Sequence, residues 1–543
     1  MDEFDYVIVG AGSAGCVLAN RLSADPAISV CVLEAGPPDA SPLIHMPLGM
    51  LPLMTHKVLN WCFNSVPQPG TAGRPIYAPR GKTLGGTSAI NGMVYMRGHR
   101  GDYDEWAAAG NPGWSYREVL PYFLRSEHNE KFGAPYHGKG GPLNVCDVES
   151  YSPLMDMMFA AARHMGYPVI EDFNGAEQEG FSRRQATIRN GRRHSTATAF
   201  LRPVMQRPNL TVQNGVLVDK IVFAGRRAVG IDVLDTAAGN RGQKIGRHIR
   251  ARREVILAGG TYASPAILLR SGIGDAAELS RLGIASVADL PGVGRNLQDH
   301  LITQVGHVTE STIPYGLTAA KLPWLGWQVL KYAFGRSGAF ANNILHAGGF
   351  IRSRSDLDRP DLQLILLPAN RTLENPNAKG HGYGIIVLLL RPQSHGRVSI
   401  ESADPLAPPR IDPQFLKQRA DVDLMVHGMK LARRMLADAA FDSVRGPEIL
   451  PGDGIRDDAA LESYARNRCA TAFHPVGTCR MGRGGDAVVD AELRVRGVEG
   501  LRVADASIMP RIIGGNTNAP SIMIGEKAAD LVLGCPALAP IEA

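Results

Sequence analysis

Tyr6-Val7-Ile8-Val9 is a continuous apolar run rich in β-branched residues, the pattern of a strand buried on both faces. Gly10-Ala11-Gly12-Ser13-Ala14-Gly15 follows, and then Cys16-Val17-Leu18-Ala19-Asn20-Arg21-Leu22, whose apolar positions have helical spacing. A second apolar run, Val30-Cys31-Val32-Leu33, ends at Glu34. The pattern predicts strand, turn, helix and strand. Later, Leu362 to Leu367, Ile385 to Leu390 and Arg397-Val398-Ser399-Ile400-Glu401 read as strands separated by turns, without the crossover helices that parallel pairing requires, so they predict an antiparallel sheet. His381-Gly382-Tyr383-Gly384 reads as a turn ahead of one of them.

The glycine-rich turn has a chemical reading. Gly10 permits the tight turn, Gly12 lets backbone approach a pyrophosphate, and Gly15 lets helix and strand pack closely. Glu34 lies 19 residues beyond Gly15, near the spacing of an acid that binds ribose hydroxyls. A cofactor with a 2′-phosphate is disfavoured, because two anions would face each other. NAD and FAD both fit this motif.

Composition excludes several classes. The 543 residues carry 58 Lys and Arg against 52 Asp and Glu, a net +6 too dilute to mark a nucleic-acid partner. Length predicts at least two folding units. Seven scattered cysteines with no CxxC spacing, and no export signal, place the protein in the cytoplasm. No apolar run reaches the ~20 residues of a spanning helix, so no transmembrane segment is expected.

Two further glycine-rich segments sharpen the reading. Arg80-Gly81-Lys82-Thr83-Leu84-Gly85-Gly86-Thr87-Ser88-Ala89-Ile90-Asn91-Gly92-Met93 and Gly260-Thr261-Tyr262-Ala263-Ser264-Pro265 through Gly274 resemble the two signatures of the glucose-methanol-choline (GMC) family of flavoprotein oxidoreductases. The likeness continues through Gly294-Arg295-Asn296-Leu297-Gln298-Asp299-His300, Arg391 to Val398, His474-Pro475-Val476-Gly477-Thr478 and Asn516-Thr517-Asn518-Ala519-Pro520. It spans nearly the whole chain, and the choline-dehydrogenase-like and aliphatic alcohol dehydrogenase branch is the most similar.

That resemblance implies FAD rather than NAD, held noncovalently because Ile90 stands where some members carry a linking histidine. It implies an α/β protein with a discontinuous Rossmann-like FAD-binding domain (1–150, 190–305 and 470–543). An α+β substrate domain on an antiparallel sheet takes 151–189 and 306–469. Ser13, Gly86, Asn91, Gly92, Val218 and Asp505 are implied cofactor contacts. His474 matches the family's base, with Pro475 restricting its backbone, and Asn518 matches the second residue beside the substrate oxygen. Asn518 also precedes a helix whose positive end would face the flavin N1/O2 edge.

The implied activity is oxidation of an uncharged primary alcohol, aliphatic or aromatic, to the aldehyde, with electrons passed to a quinone or other carrier. The alternatives are an alcohol oxidase that releases peroxide, a choline dehydrogenase, and a noncatalytic flavoprotein or hydroxynitrile-lyase-like protein. Choline is disfavoured because His346 in Leu345-His346-Ala347-Gly348-Gly349-Phe350 replaces the carboxylate common in choline-dehydrogenase-like relatives. Leu322 to Phe334, with Trp324, Trp327 and flanking Lys321, Lys331 and Arg336, has two readings. A helix packed on the substrate-domain sheet, or forming a lid, is favoured over a peripheral contact with a quinone-bearing membrane.

Overall fold

The computed structural model describes residues 2–148, 152–236, 246–318, 321–370 and 379–543. The chain opens with β1 (Asp2–Val9), α1 (Ser13–Leu22) and β2 (Val30–Glu34), the elements its apolar pattern requires. After β3 (Gly180–Arg183) come β4 (Leu210–Asn214), β5 (Val216–Ala224), β6 (Arg227–Asp235), β7 (Gly246–Leu257) and α2 (Gly260–Arg270). The middle of the chain forms β8 (Leu301–Thr309), α3 (Leu322–Gly335), β9 (Ala347–Ile351), β10 (Leu362–Leu367), β11 (Gly380–Leu389) and α4 (Arg419–Leu436). β12 (Leu501–Val503) and α5 (Asn518–Leu533) close it.

Two sheets organise these elements. The first has strand order β4-β2-β1-β7-β6-β5, with β12 also on β7. Its β4, β2, β1, β7 and β12 are mutually parallel, and Val7 lies between Cys31 and Val255. Such strands are covered on both faces, which explains the uninterrupted apolar runs. The second sheet is antiparallel around the order β8-β11-β10-β9-β3. One face carries Leu364, Val387 and Phe181 toward a core shared with α4. The opposite face carries Phe350, Ile365 and Leu388, which pack with Val94, Met96 and Ala472.

Several expectations need correction. His381 to Gly384 is not a turn but part of β11, because each residue pairs with the long strand β8. Arg397–Ser399 is a strand, but it pairs with Arg410–Asp412 in a separate ribbon. The expected boundary at 305 falls inside β8, and Ala470–Thr471 pairs with that strand, so both boundaries cut the second sheet. The boundary at 150 lies outside the described residues.

Between the sheets runs a buried ionic chain. Arg97, 1% exposed, donates to Glu127 at 2.5 Å, and Glu127 and Asp172 accept from His137 at 3.0 and 2.7 Å. Burial alone would raise the Glu127 pKa, but Arg97 and His137 outweigh it and hold the carboxyl below its usual range. Glu127→Ala leaves Arg97 buried without its counter-ion and is expected to cost about 3–5 kcal/mol, read as a lowered denaturation midpoint. The depressed pKa makes the Glu127 contribution present above the unfolded carboxylate range and lost as pH falls through the folded value. The wild-type advantage over Glu127→Ala should therefore shrink on acidification.

Candidate functional site

The first half of the site is the turn from β1 into α1. Gly10 has φ +102°, and a Cβ on Gly15 would lie 1.9 Å from the Gly10 carbonyl oxygen, so both glycines are demanded by the chain itself. Gly12 differs. A Cβ there would meet no protein atom closer than 3.9 Å, although Gly12 stands at the start of α1 with no side-chain cap on the helix. Uncapped N–H groups beside open space are what a phosphate requires.

Glu34 is buried and accepts from Ala11 N at 3.1 Å and Gly36 N at 2.9 Å, so it holds the glycine turn while retaining acceptor capacity for a ribose. Burial pushes its pKa up to about 7. Gly215 N donates to Gly36 O at 3.0 Å, which brings the start of β5, with Val218, beside this turn. Gly85 N donates to Ala11 O at 2.8 Å, and a Cβ on Gly86 would lie 2.8 Å from Gly12 Cα, so the first signature segment packs directly on the turn. Farther along it, Arg193 Nη1 donates to both Asn91 O and Asn91 Oδ1, and Asn343 Nδ2 donates to Gly92 O at 2.7 Å. Asp505 is anchored by Gly260 N, Ser264 Oγ and Ser507 N, tying the start of α2 to the C-terminal segment.

The second helix terminus arrives from the far end of the chain. Ser13 Oγ donates to Asn518 Oδ1 at 2.7 Å, pinning the N-terminus of α5 to that of α1. Neither helix has a side-chain cap hydrogen bond. Two positive helix ends thus converge on one crevice, a donor set suited to an extended, anionic dinucleotide.

The reactive half of the site is built around His474. Asp299 Oδ1 accepts from His474 N at 2.8 Å, Arg80 Nη2 donates to Phe473 O at 2.6 Å, and Phe473 is held at φ +68°. His300 lies on its other side. The His300 Nε2 atom is 3.1 Å from the Leu390 carbonyl, which can only accept, so Nε2 carries the proton. Burial keeps His300 neutral, with its pKa pushed down to about 3, and its Nδ1 therefore accepts. His474 Nδ1, 3.0 Å away, must be the donor. The lone pair of His474 is left on Nε2, 2.9 Å from Asn516 Nδ2.

This geometry corrects one assignment. Asn516, not Asn518, stands beside His474, because Asn518 is the first residue of α5 and is turned toward Ser13. The Asn516 Oδ1 atom is buried with no partner among the described residues. Burial, then the neighbouring His300, Arg80 and Arg184, hold the His474 pKa well below that of a free imidazole. His300 was missed in the sequence. Its only signal was its place in the Asn296-Leu297-Gln298-Asp299-His300 segment.

Residues 4–302 and 392–525 match the two GMC oxidoreductase family models. The chain belongs to the GMC oxidoreductase family. It is 43% identical to an alcohol dehydrogenase (acceptor) of Pseudomonas putida, over 98% of this chain and 96% of that protein. An oxygen-dependent choline dehydrogenase of Brucella anthropi is 44% identical over 99% of this chain and 97% of its own length. Among solved structures, a pyridoxine 4-oxidase from Mesorbium loti matches with a TM-score of 0.87 and 31% identity, covering 97% of this chain and 98% of that one. A formate oxidase from Aspergillus oryzae RIB40 gives 0.89 and 29%, covering 98% of each chain. This GMC oxidoreductase is an FAD-dependent alcohol oxidoreductase, and FAD fits the crevice that the glycine turn and the paired helix ends define.

The open space at Gly12 separates cofactor binding from folding. Gly12→Ala should leave the fold intact but lower the FAD content of the purified protein, read from the 450 nm absorbance per chain. Gly15→Ala drives a methyl into the Gly10 carbonyl and should lose folded protein outright or cost more than the usual ~1–3 kcal/mol of overpacking.

Proposed function

We propose that the protein oxidises a primary alcohol to its aldehyde beside His474, which takes the hydroxyl proton, and passes the electrons to a carrier other than NAD or oxygen. The observation that supports this most directly is the fixed tautomer of the imidazole pair. The Leu390 carbonyl orders His300, His300 orders His474, and the basic nitrogen is left facing Asn516. An alcohol hydroxyl both donates and accepts, so it can replace the direct 2.9 Å contact between His474 Nε2 and Asn516 Nδ2. Its proton goes to His474 Nε2, and its oxygen accepts from Asn516 Nδ2.

FAD, when bound, supplies the acceptor for the hydride. His474 stays unprotonated near neutral pH because burial and the nearby cations oppose its charged form. The same cations, Arg80 and Arg184, favour the negative charge that develops on the substrate oxygen as its proton leaves. Asp299 and Arg80 hold the backbone on either side of the His474 amide, so the ring is aimed before substrate arrives.

A membrane-dissolved quinone as the acceptor is supported by α3. Leu322, Trp327, Leu330 and Phe334 are exposed, Phe334 by 88%, and Gln328 is the helix's one buried residue among those described. This is not the expected core-facing helix. Lys321 and Lys331 lie over Trp324 and Trp327 at 5.5 and 5.9 Å. Past its C-terminus a cavity of about 280 Å³ is lined by His45, Arg189, Arg192, Arg193, Arg202 and Arg336. An apolar helix beside a basic cavity suits an anionic phospholipid surface. No helix among the described residues is long and apolar enough to cross a membrane.

His474→Ala should slow anaerobic flavin reduction by an alcohol by ~10²-fold or more while FAD stays bound, measured by stopped-flow absorbance. Because the His474 pKa is depressed, the wild-type rate should be flat above neutrality and fall only on the acid side. An acid limb centred above pH 7 would overturn the role assigned to His474. Trp327→Glu combined with Phe334→Glu should abolish co-sedimentation with phosphatidylglycerol vesicles and leave turnover with a soluble redox dye unchanged. Rapid peroxide release in air would overturn the choice of acceptor.

A further inference from the structure

Arg184 is a buried cation without a partner. It is 1% exposed, and Nε, Nη1 and Nη2 are each buried with no hydrogen-bond acceptor among the described residues. A guanidinium carries five donors in a fixed fork, and leaving them all unsatisfied in a low-dielectric interior costs several kcal/mol. Desolvation alone pulls its pKa down to about 10, which still leaves it charged at neutral pH. These donors call for an acceptor that the described residues do not supply, and an anion would both accept from them and balance the charge.

The strand register places the guanidinium. β3 pairs with β9 so that Ser182 faces Gly348 and Gly180 faces Phe350, and Arg184 N continues the ladder to His346 O at 2.9 Å. Opposed residues of an antiparallel pair share a face, so Arg184 stands on the Phe350 side of the sheet. That side packs with Val94, Met96 and Ala472, two residues from His474, rather than with the α4 core. Immediately after Arg184, Gln185 and Ala186 pair with Tyr95 and Val94, the strand that continues from Asn91-Gly92. Asn343, whose carbonyl contacts His346 Nε2 at 2.6 Å, also donates to Gly92 O. Arg184 therefore lies between the substrate-domain sheet and the segment that lines the flavin crevice, and its field reaches His474. The Gly12 phosphate cradle belongs to the other sheet. No compensating negative charge comes from the opposed strand position, where burial keeps His346 neutral, its pKa lowered to about 4.

We propose that Arg184 binds an anionic substituent of the substrate, so that the alcohol oxidised here is a hydroxy acid whose carboxylate docks on the guanidinium while its distant CH₂OH group lies at His474. This rests on the reading of the His474 pocket as the alcohol-oxidising site. It differs from the expectation of an uncharged alcohol, and it opposes choline, whose cation would face Arg184. The carboxylate takes two N–H donors side by side, a geometry that lysine cannot reproduce.

The test uses the FAD-loaded enzyme and length-matched pairs, an ω-hydroxyalkanoate series from C4 to C10 against the corresponding 1-alkanols, and 4-(hydroxymethyl)benzoate against benzyl alcohol. In the wild type at least one acid should exceed its neutral partner in kcat/KM by about 10- to 100-fold, the range expected of charge-assisted hydrogen bonds, with most of the difference in KM. Arg184→Met should erase that preference, lowering the acid's kcat/KM to within about threefold of its neutral partner's, mostly through KM, while the FAD content stays within about threefold of the wild type. Arg184→Lys should restore only part of it. Independently of turnover, saturating perturbation of the flavin visible spectrum by adipate or terephthalate is expected in the wild type and not in Arg184→Met. Neutral alcohols reacting as well as every acid in the wild type, together with no spectral response to the dicarboxylates, would overturn the proposal while leaving the alcohol-oxidising reading intact. Failure of any alcohol to bleach the flavin, with the dicarboxylate response present, would overturn that reading instead and support Arg184 as an anion site. Loss of FAD from Arg184→Met, with the wild type showing neither preference nor response, would make it a cofactor contact and overturn the proposal.

Discussion

One carbonyl oxygen, that of Leu390, sets the protonation pattern of the reactive centre. Because it can only accept, it obliges His300 to donate from Nε2, and the obligation passes through His300 to His474. The basic nitrogen is thereby fixed on the side of Asn516. Four remote segments must be in register for this to hold: the start of β8, the end of β11, the segment that carries His474 and the loop before α5. The ring pair thus joins two segments that adjoin the same end of β8, because Ala470–Thr471 pairs with Leu301 and Ile302. Neutrality is essential to the device, and burial supplies it by opposing the charged form of both imidazoles.

The surrounding electrostatics are consistent with proton removal. Arg184 is buried and Arg80 half-buried near His474, whereas Asp299, the adjacent acid, is raised to about 6 by burial. The pocket therefore favours negative charge on a bound molecule. It also keeps positive charge from accumulating on the base before substrate arrives. The same preference appears on a larger scale in the two helix ends at the glycine turn, so anion-stabilising groups are present at both ends of the cofactor crevice.

The parts of the architecture that were legible in the chain are those in which cause and effect are close in sequence. The β1 turn needs Gly10 and Gly15 because backbone meets backbone within six residues, and the motif exposes this directly. The antiparallel strands were visible as short apolar runs. His381 to Gly384 misled because glycines imitate a turn, while the pairing partner that makes them a strand, β8, lies some 75 residues earlier. Asn516 and Asn518 could not be told apart by counting from His474, since the choice depends on where α5 begins and on Ser13 at the opposite end of the chain. His300 and Arg184 look like ordinary polar residues until the fold buries them. The exposure of α3 was equally hidden, because an apolar helix reads the same whether or not anything covers it.

The interleaving of the first sheet has a consequence for biosynthesis. β7 receives β1 from some 250 residues earlier and β12 from some 250 residues later, and α5 is pinned to α1 through Ser13–Asn518 and Arg21–Glu526. A ribosome that has made the first 500 residues has delivered the glycine turn and His474 but neither Asn516 nor the second helix terminus. Nascent chains that have not yet delivered α5 therefore have one side of the crevice unbuilt, and stable loading of the prosthetic group has to wait for that helix.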